Sequence, residues 1–416
     1  MSFQNIVDFS FRALTLGGRF VLLIAIAKYL SPDDVGIYGI LCSLISYVLY
    51  FLGIDFYVYS TRKIICGGVN KIWGMLYNQY VFYLFGYVLL IIVSQQVFTY
   101  SGISDYAVMG VAIALFEHMS QEMYRVLIVI KKIRAANIQL FIRSGSWCYI
   151  TSLLLCIKNI TDLKSVMFIW MLFSFISVCY ALFVIYVEVH PKREDFILDL
   201  SWIIEGVKVS SFFFIGTICL RGIFYFDKIF LKDIVNLNIV GVYVFYFGVA
   251  SAIQSFVDIL VVSKYYPELI RQVNEDIDRG NVSLSKKIVR EFLNKILATA
   301  FFLCIVSIPA CYFVVKFLNK SDYLAYFPVY ISLLVANVVF LIAMPYHYFL
   351  YALKRDSFLV RINIFTFGLF LLLSYVLIRL FSDLTVYCII VPIIVSYSSA
   401  LFIKFYGYNS FVRGRS

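Results

Sequence analysis

The stretch that decides the fold is Thr217–Tyr243, TICLRGIFYFDKIFLKDIVNLNIVGVY. It places Arg221 inside an apolar run and ends that run near Asp227 and Lys228. A second apolar run then opens on Val240-Gly241-Val242-Tyr243. Apolar runs of about 20 residues are long enough to cross a bilayer as helices. The stretch therefore predicts the end of one membrane helix and the start of the next.

The same order of features occurs near the N-terminus. Arg19 lies inside a first apolar run, a polar break follows at Ser31-Pro32-Asp33-Asp34, and the next run opens on Val35-Gly36-Ile37-Tyr38. Gly36 and Gly241 are 205 positions apart (241 − 36), close to half of 416 residues. The spacing predicts two copies of one unit, and in a membrane protein such a duplication indicates a binding site between the halves.

Composition supports a membrane protein. Hydrophobic residues make up 62% of the chain and charged residues only 14%, and a water-soluble fold cannot bury that much apolar surface. The net charge of +11 would suggest a nucleic-acid partner in a soluble protein. Here it is explained by Lys and Arg in cytoplasmic loops, so we expect no nucleic-acid binding.

The apolar runs predict twelve membrane-spanning helices. Each is long enough to cross about 30 Å of hydrocarbon at 1.5 Å per residue. The predicted helices cover residues 10–30, 36–59, 74–94, 104–130, 137–157, 164–187, 206–228, 238–263, 290–317, 324–351, 358–380 and 384–405. A membrane β-barrel would need alternating segments about half as long, which the chain lacks. The predicted fold class is an all-α integral membrane protein.

The distribution of positive charge predicts the orientation. If the N-terminus is cytoplasmic, Lys and Arg are about three times as frequent in the inner loops as in the outer ones. This places both termini in the cytoplasm. The chain divides into an N-terminal six-helix bundle, 1–190, a cytoplasmic linker, 191–205, and a C-terminal six-helix bundle, 206–416, related by pseudo-symmetry.

Arginines inside the predicted helices are the first functional signal. An ionisable group at a helix centre costs about 2.5–3.5 kcal/mol on insertion scales, so it is expected to face a partner or a water-filled cavity. Arg19 and Arg221 lie on corresponding helices of the two halves. If both face the same cavity, its ligand is an anion, and the planar guanidinium suits phosphate oxygens. The alternative is that each arginine pairs within its own half, as Arg221 could with Asp227.

The fourth predicted helix carries the densest polar stripe. His118, Gln121, Glu122 and Arg125 share one helix face, and Glu117 lies beside it. This face is predicted to avoid lipid. Two interpretations remain open: a proton or sodium site, or a Glu122–Arg125 pair that satisfies itself. A metal site is not predicted because the pattern supplies no third ligand.

Three further charged residues are candidates. Asp55 and Asp258 lie near the inner ends of equivalent helices, where they either gate the inner mouth or cap it. Arg143, near the start of the fifth helix, either adds to a positive field or extends to the inner surface. No catalytic motif and no nucleotide-binding cassette is present in the sequence, so we expect neither an enzyme nor a cofactor.

Two segments carry a family resemblance: AKYLSPDDVGIYGILCSLISYVLYFLGID, residues 27–55, and FDKIFLKDIVNLNIVGVY, residues 226–243. They resemble the polysaccharide-transport family of oligosaccharide-lipid flippases, which includes bacterial O-antigen translocases involved in lipopolysaccharide biosynthesis. That family belongs to the superfamily that also holds multidrug and toxin extruders and lipid II flippases. The matching motifs are short, whereas the length and the duplication agree across the whole chain.

The resemblance implies a V-shaped bundle in the bacterial cytoplasmic (inner) membrane. It would move an undecaprenyl-pyrophosphate-linked oligosaccharide from the inner to the outer leaflet while the prenyl tail stays in membrane lipid. The implied residues for pyrophosphate and sugar binding are Arg19, Arg125, Arg143 and Arg221. The implied candidates for coupling or gating are Asp55, Glu117, His118, Glu122, Asp227 and Asp258. The implied partners are H⁺ or Na⁺ as coupling ion, a polysaccharide polymerase and a chain-length regulator.

Two other classes of protein stay open at this point. A multidrug or cation antiporter of the same superfamily would share the architecture but favour an acidic cavity, against which the buried arginines argue. A membrane-embedded polysaccharide polymerase would also have many helices. Polymerases usually need a large outer loop, however, and the longest loops here are predicted inside.

Overall fold

A computed structural model describes residues 3–67, 71–279, 283–381 and 386–413, with side chains described for 10–65, 71–277, 283–381 and 386–413. Throughout these ranges the regular structure is helical and no strand is present. The prediction of an all-α membrane protein is confirmed. The chain forms two compact units, Met1–Phe214 and Ile215–Ser416, and the boundary falls inside one long helix.

The first unit contains eight helices and the start of a ninth. They are α1 (Phe3–Tyr29), α2 (Pro32–Gly53), α3 (Tyr57–Gly67), α4 (Ile72–Tyr100), α5 (Ala107–Val129), α6 (Ile133–Phe141), α7 (Trp147–Cys156), α8 (Leu163–Glu188) and α9 (Leu200–Ile234). A π-helical turn, Ile142–Ser146, joins α6 to α7 without a break. Helix α5 packs against α2, α3, α4, α6 and α8, so its side chains form the centre of this unit.

The second unit continues from α9. Its helices are α10 (Leu237–Val257), α11 (Ser263–Arg279), α12 (Ser283–Leu318), α13 (Ser321–Ala325), α14 (Phe327–Ile342), α15 (Met344–Ala352), α16 (Asp356–Leu380) and α17 (Tyr387–Arg413). A π-helical turn, Asp258–Val262, joins α10 to α11. Helix α17 packs against α14, α15 and α16 and is the central helix of this unit.

Ten segments of the described chain are long and apolar enough to cross a membrane. Helix α5 and the continuous segment α6–α7 supply the other two of the twelve predicted spans. Helix α5 carries Glu117, Glu122 and Arg125, and α6–α7 carries Arg134 and Arg143, so both are less apolar than the other ten segments. The chain is a multi-pass membrane protein. The first residues of the predicted helix 384–405 lie outside the described residues.

The polar breaks of the duplicated motif are helix N-caps. Ser31 caps α2: its side-chain oxygen accepts from the backbone N–H of Asp34 at 3.1 Å, and Asp34 accepts in return from the N–H of Ser31 at 3.2 Å. Asn236 caps α10 by accepting from the N–H of Ile239 at 3.0 Å. These caps satisfy orphan donors at the helix start. Ser31 and Asn236 are 205 positions apart (236 − 31), the spacing read from the glycines.

Two predicted boundaries were wrong. The predicted helix 36–59 ends at Gly53, because Ile54 and Asp55 adopt left-handed backbone angles, φ 46° and 51°, before α3 begins. Apolar residues continue across this break, so periodicity does not reveal it. Helix α9 begins at Leu200, inside the predicted linker 191–205. Asp199 accepts there from the N–H of Trp202 at 2.9 Å and so caps the helix early.

Candidate functional site

The first unit holds a buried polar cluster, the α5 cluster, built around Glu117, His118 and Glu122. Their exposed fractions are 9%, 1% and 2%. Burying ionisable groups to this extent is costly unless they are paired and hydrogen-bonded. The predicted polar stripe therefore faces the interior of the unit, and its partners come from α3, α4, α8 and the π-helical turn.

Glu122 forms the fully satisfied end of the cluster. One carboxylate oxygen accepts from Gln79 at 2.7 Å and Tyr83 at 3.1 Å, and the other pairs with Arg125. The Arg125 guanidinium also lies 3.5 Å from the centre of the Tyr57 ring, a cation–π contact. Two interpretations were open for this helix face, and the structure contains the Glu122–Arg125 pair that one of them predicts. Arg125 is thus occupied by Glu122 and Tyr57.

His118 packs against two tyrosines of α4, one of which, Tyr83, also donates to Glu122. The Tyr87 hydroxyl lies 2.8 Å from His118 Nδ1, and the ring packs edge-on against Tyr83 with centroids 4.6 Å apart. His118 Nε2 has no hydrogen-bond partner among the described residues and faces Gly53. A Cβ at Gly53 would lie 2.9 Å from Nε2. The absence of a side chain at Gly53 is what gives the imidazole its room.

Glu117 forms the loosely paired end of the cluster. One oxygen accepts from Trp170 Nε1 at 2.8 Å and Ser174 Oγ at 2.9 Å. The other lies 3.7 Å from Nε of Arg143, which is beyond hydrogen-bond length. Arg143 Nη1 is buried and has no hydrogen-bond partner in the described chain. The structure thus places Arg143 in the interior of the unit, beside a carboxylate it does not fully engage.

Arg19 approaches Arg143 because α1 packs tightly on the π-helical turn. A Cβ at Gly18 would lie 2.9 Å from the carbonyl oxygen of Gly145, so only glycine fits there. Arg19 is exposed, and its charge acts on Arg143 and on Cys148. The structure therefore brings together two of the predicted arginines, Arg19 and Arg143, within one unit.

Asp55 sits at the break between α2 and α3. Its side chain is 4% exposed, and its carbonyl oxygen accepts from the N–H of Val58 at 2.9 Å. Aspartate tolerates left-handed backbone better than most residues because its short polar side chain can bond locally. Asp55 is therefore a structural part of the break, and its role as a gate stays a prediction.

In the second unit, Asp227 is paired with its neighbour. Both of its oxygens lie 3.1 Å from Lys228 Nζ, and one accepts from the Tyr243 hydroxyl at 2.8 Å. Lys228 also donates to the carbonyl of Phe224 at 2.9 Å. The suggested pairing of Arg221 with Asp227 is not the one observed. Tyr243 belongs to the duplicated motif, and its hydrogen bond to Asp227 connects α10 to α9.

Arg221 instead lies near Asp258. Arg221 is exposed on α9, and Asp258 is close enough to interact with its charge. Asp258 opens the π-helical turn between α10 and α11, and its Oδ1 is buried without a hydrogen-bond partner in the part of the chain that is described. In each unit a candidate arginine thus lies near a carboxylate that lacks a full set of hydrogen bonds: Arg143 near Glu117, and Arg221 near Asp258.

Sequence reasoning missed several members of these sites. Lys404 on α17 is 8% exposed and makes no hydrogen bond or ion pair with any described residue. It faces His347 on α15, whose Nδ1 is likewise buried without a partner there. Lys404 lies near the end of an apolar run, where the sequence predicts an ordinary lysine at the inner membrane surface. The neutral partners Gln79 and Trp170 gave no signal because such residues are common in membrane helices.

Within the described side chains, no group of three or more His, Cys, Asp and Glu residues could hold a metal ion. No disulfide is present among the described cysteines.

Solved structures define the class of fold. The chain is similar to a multidrug resistance MATE family transporter of the MOP superfamily in an inward-facing conformation, with a TM-score of 0.78, 12% identity and 98% of each chain covered. An outward-facing structure of such a transporter gives a TM-score of 0.65 at 12% identity, covering 99% of this chain and 94% of that one.

A third similar structure comes from Pyrococcus furiosus. It is a MOP superfamily transporter described as having a binding pocket of reversed polarity that suggests a different function. Its TM-score is 0.52 at 12% identity, with 98% of this chain and 93% of that chain covered. No family model matches this chain, and no curated protein matches it in sequence. The protein is accordingly an all-α, multi-pass membrane protein with the fold of MATE transporters.

Proposed function

We propose that this protein is an alternating-access transporter and that its substrate is an anion carried on a lipid. The finer proposal is a flippase that moves an undecaprenyl-pyrophosphate-linked oligosaccharide from the inner to the outer leaflet of the bacterial cytoplasmic membrane. Support for transport comes from the fold, since structures of MATE transporters with this fold are known in inward-facing and outward-facing conformations. Both termini are then cytoplasmic, as the distribution of Lys and Arg predicts.

The observation that carries the anionic substrate is the incomplete pairing of Arg143, which lies near Arg19 in the first unit. Arg19, Arg125 and Arg143 are associated there with Glu117 and Glu122. Arg125 is neutralised by Glu122, whereas Arg19 and Arg143 lie near each other and share only the loose contact with Glu117. Two guanidinium groups in a membrane-embedded helix bundle favour an anion, and their planar geometry matches phosphate oxygens.

The remaining partners follow from this substrate. H⁺ or Na⁺ would supply the driving force, and a polysaccharide polymerase and a chain-length regulator would act on the flipped product. Arg221 in the second unit is proposed as a further residue that binds the pyrophosphate. These partners belong to the proposal and are tested with it.

A multidrug or cation antiporter is the second candidate. It is favoured by the similar solved structures, which include multidrug resistance transporters. The buried carboxylates Glu117 and Glu122 are also compatible with a cation site. The Pyrococcus furiosus transporter, described with a pocket of reversed polarity, indicates that similar folds accommodate different substrates. The two candidates differ in the sign of the substrate's charge, which makes them separable.

The test is transport by the purified protein in proteoliposomes. We expect a fluorescent undecaprenyl-pyrophosphate-linked oligosaccharide to cross between leaflets, measured by quenching from outside. Arg221→Ala should abolish this transport, because it removes a proposed pyrophosphate-binding guanidinium, and Arg221→Lys should restore part of it by keeping the charge. Arg379→Ala, at an exposed arginine near the end of α16, is the control and should transport normally.

The result also separates the candidates. Efflux of a cationic dye without lipid transport would replace the flippase with the multidrug antiporter. Full lipid transport by Arg221→Ala would remove Arg221 from the binding site.

A further inference from the structure

Two glutamates of α5 each lie near an arginine, and the two pairs differ in how closely the charged groups approach. Glu122 and Arg125 are in direct contact, and Glu122 has two further donors, Gln79 and Tyr83. Glu117 and Arg143 are separated by 3.7 Å. Both pairs are buried in the same unit, so burial does not explain the difference. The cause lies in what else holds each partner.

Glu117 is held away from Arg143 by other donors. Trp170 Nε1 and Ser174 Oγ both donate to one oxygen, at 2.8 Å and 2.9 Å, and they fix the carboxylate against α8. Trp170 is itself stacked on Trp147, with ring centroids 5.4 Å apart. The carboxylate is thus rigidly placed, and closer approach to Arg143 would require breaking these bonds.

Arg143 is correspondingly left with unused donors. Its Nη1 is buried and unpartnered among the described residues, and its Nε makes only a 3.4 Å contact with Ser144 Oγ. Arg19 lies close enough for like-charge repulsion to act on Arg143. A buried, under-bonded guanidinium next to a second one gains both hydrogen bonds and charge neutralisation from an incoming anion.

We propose that Glu117 is the exchangeable counter-ion of Arg143: an anionic headgroup binding at Arg143 and Arg19 displaces Glu117, which then takes up a proton. This inference rests on the proposed function, since it concerns how the same arginines receive their anion. The proton comes from water and bonds to the carboxylate oxygen that faced Arg143. A buried carboxylate that loses its counter-ion is more stable in the neutral form.

The surroundings of Glu117 allow this exchange. Among the described residues, no second carboxylate pairs with Arg143. The other titratable or charged groups near Glu117 and Arg143 are Arg19 from α1, Cys148 from α7, and Tyr124 and Arg125 from α5 itself. Tyr38 and Cys42 of α2 lie near Arg19 and Cys148. Helix α8 contributes only the neutral Trp170 and Ser174. Helix α6 contributes Gln139, which bonds to Ser120 instead.

The remaining neighbours of α5 lie at its other end. Tyr57 of α3 contacts Arg125, while Tyr83 and Tyr87 of α4 contact Glu122 and His118. Glu117 is therefore the acid that responds to the state of Arg143. Glu122 already has three partners, Arg125, Gln79 and Tyr83.

The exchange predicts a link between pH and affinity. The anion-bound state holds one more proton than the free state, so raising the pH disfavours binding. Affinity should fall by at most tenfold per pH unit once free Glu117 is fully ionised. At a site in which the carboxylate takes no part, the affinity for a permanently charged anion would instead be independent of pH.

The experiment measures sulfate binding to the purified full-length protein by calorimetry, because sulfate keeps its charge between about pH 6 and about pH 8. Repeating each titration in two buffers of different ionisation enthalpy counts the protons taken up. Wild type should take up close to one proton per anion. Glu117→Gln should take up none and bind about tenfold more tightly at the higher pH, since its neutral amide mimics the protonated acid.

Glu188→Gln, at an exposed carboxylate that pairs with Lys132, is the matched control and should keep the proton uptake of wild type. Ser174→Ala, which removes one donor that stabilises the Glu117 carboxylate, should extend proton uptake to higher pH and supplies a second, milder variant. Anion binding without proton uptake in wild type, or uptake that persists in Glu117→Gln, would overturn the exchange while leaving the proposed function intact. Absence of any anion binding would remove the anionic substrate and this inference with it.

Discussion

At the scale of single residues, what matters is whether a buried charge is completely satisfied. Asp227 and Glu122 each have a cationic partner and at least one tyrosine hydroxyl, and both are fixed. Glu117 and Asp258 each keep an oxygen outside any short hydrogen bond. Fully bonded pairs serve the packing of one unit. An incompletely bonded group can still gain hydrogen bonds or charge neutralisation when a ligand or a proton binds. Such groups are therefore the better candidates for substrate binding or coupling.

Lys404 offers a residue-scale test of this principle. We predict that Lys404→Met raises the thermal stability of the purified protein, because it replaces a charged residue that is only 8% exposed with an apolar one of similar length. Replacing a buried ion pair by apolar side chains of similar volume is often neutral or stabilises a protein by about 1–4 kcal/mol. Thermal unfolding followed by intrinsic fluorescence in detergent measures the change.

His347→Phe is the companion variant, since it removes the facing imidazole and leaves the ammonium. It should not stabilise the protein. A Lys404→Met protein that melts at a lower temperature than wild type would show that Lys404 is satisfied and contributes to folding.

At the scale of helices, close backbone approach places the charged side chains. Helix α1 reaches the π-helical turn through Gly18, which lies against the carbonyl of Gly145. The turn contains one extra residue per turn relative to an α-helix, and such turns are frequent at functional sites. Contact between these two elements is what sets Arg19 beside Arg143.

Gly18→Ala tests this contact. Its Cβ would lie 2.9 Å from a backbone oxygen that cannot move away freely, so α1 should shift from the turn. We expect a loss of stability of about 1–3 kcal/mol and weaker anion binding. Gly368→Ala is the control: nothing lies within 4 Å of its Cβ, and alanine favours helix by up to about 1 kcal/mol. Equal stability of both variants, measured by thermal unfolding, would contradict the close approach.

At the scale of the whole molecule, orientation follows from the loops. We predict that reporter fusions after Lys132 and Lys287 give cytoplasmic signals and that fusions after Ser101 and Asn319 give external ones. The reason is the excess of Lys and Arg in the loops assigned to the inner side. Alkaline phosphatase and green fluorescent protein fusions provide the two readouts. Inverted signals at all four positions would reverse the direction of the proposed transport.

The sequence by itself determined the membrane class, the twelve spans and the duplication. These depend on apolar runs and on N-caps such as Ser31 and Asn236, whose effects are local and leave a pattern along the chain. It also identified Glu117, His118, Glu122 and Arg125 as one polar stripe, because residues three and four apart share a helix face.

The tertiary structure alone decided which of these charges are paired. Gln79 and Tyr83 reach Glu122 from another helix, and Trp170 and Ser174 hold Glu117 from a third. Only the structure shows that Lys404 is buried. Such contacts join residues far apart in the chain, and they depend on helix packing and on breaks such as the left-handed Asp55, for which hydrophobic periodicity carries no signal.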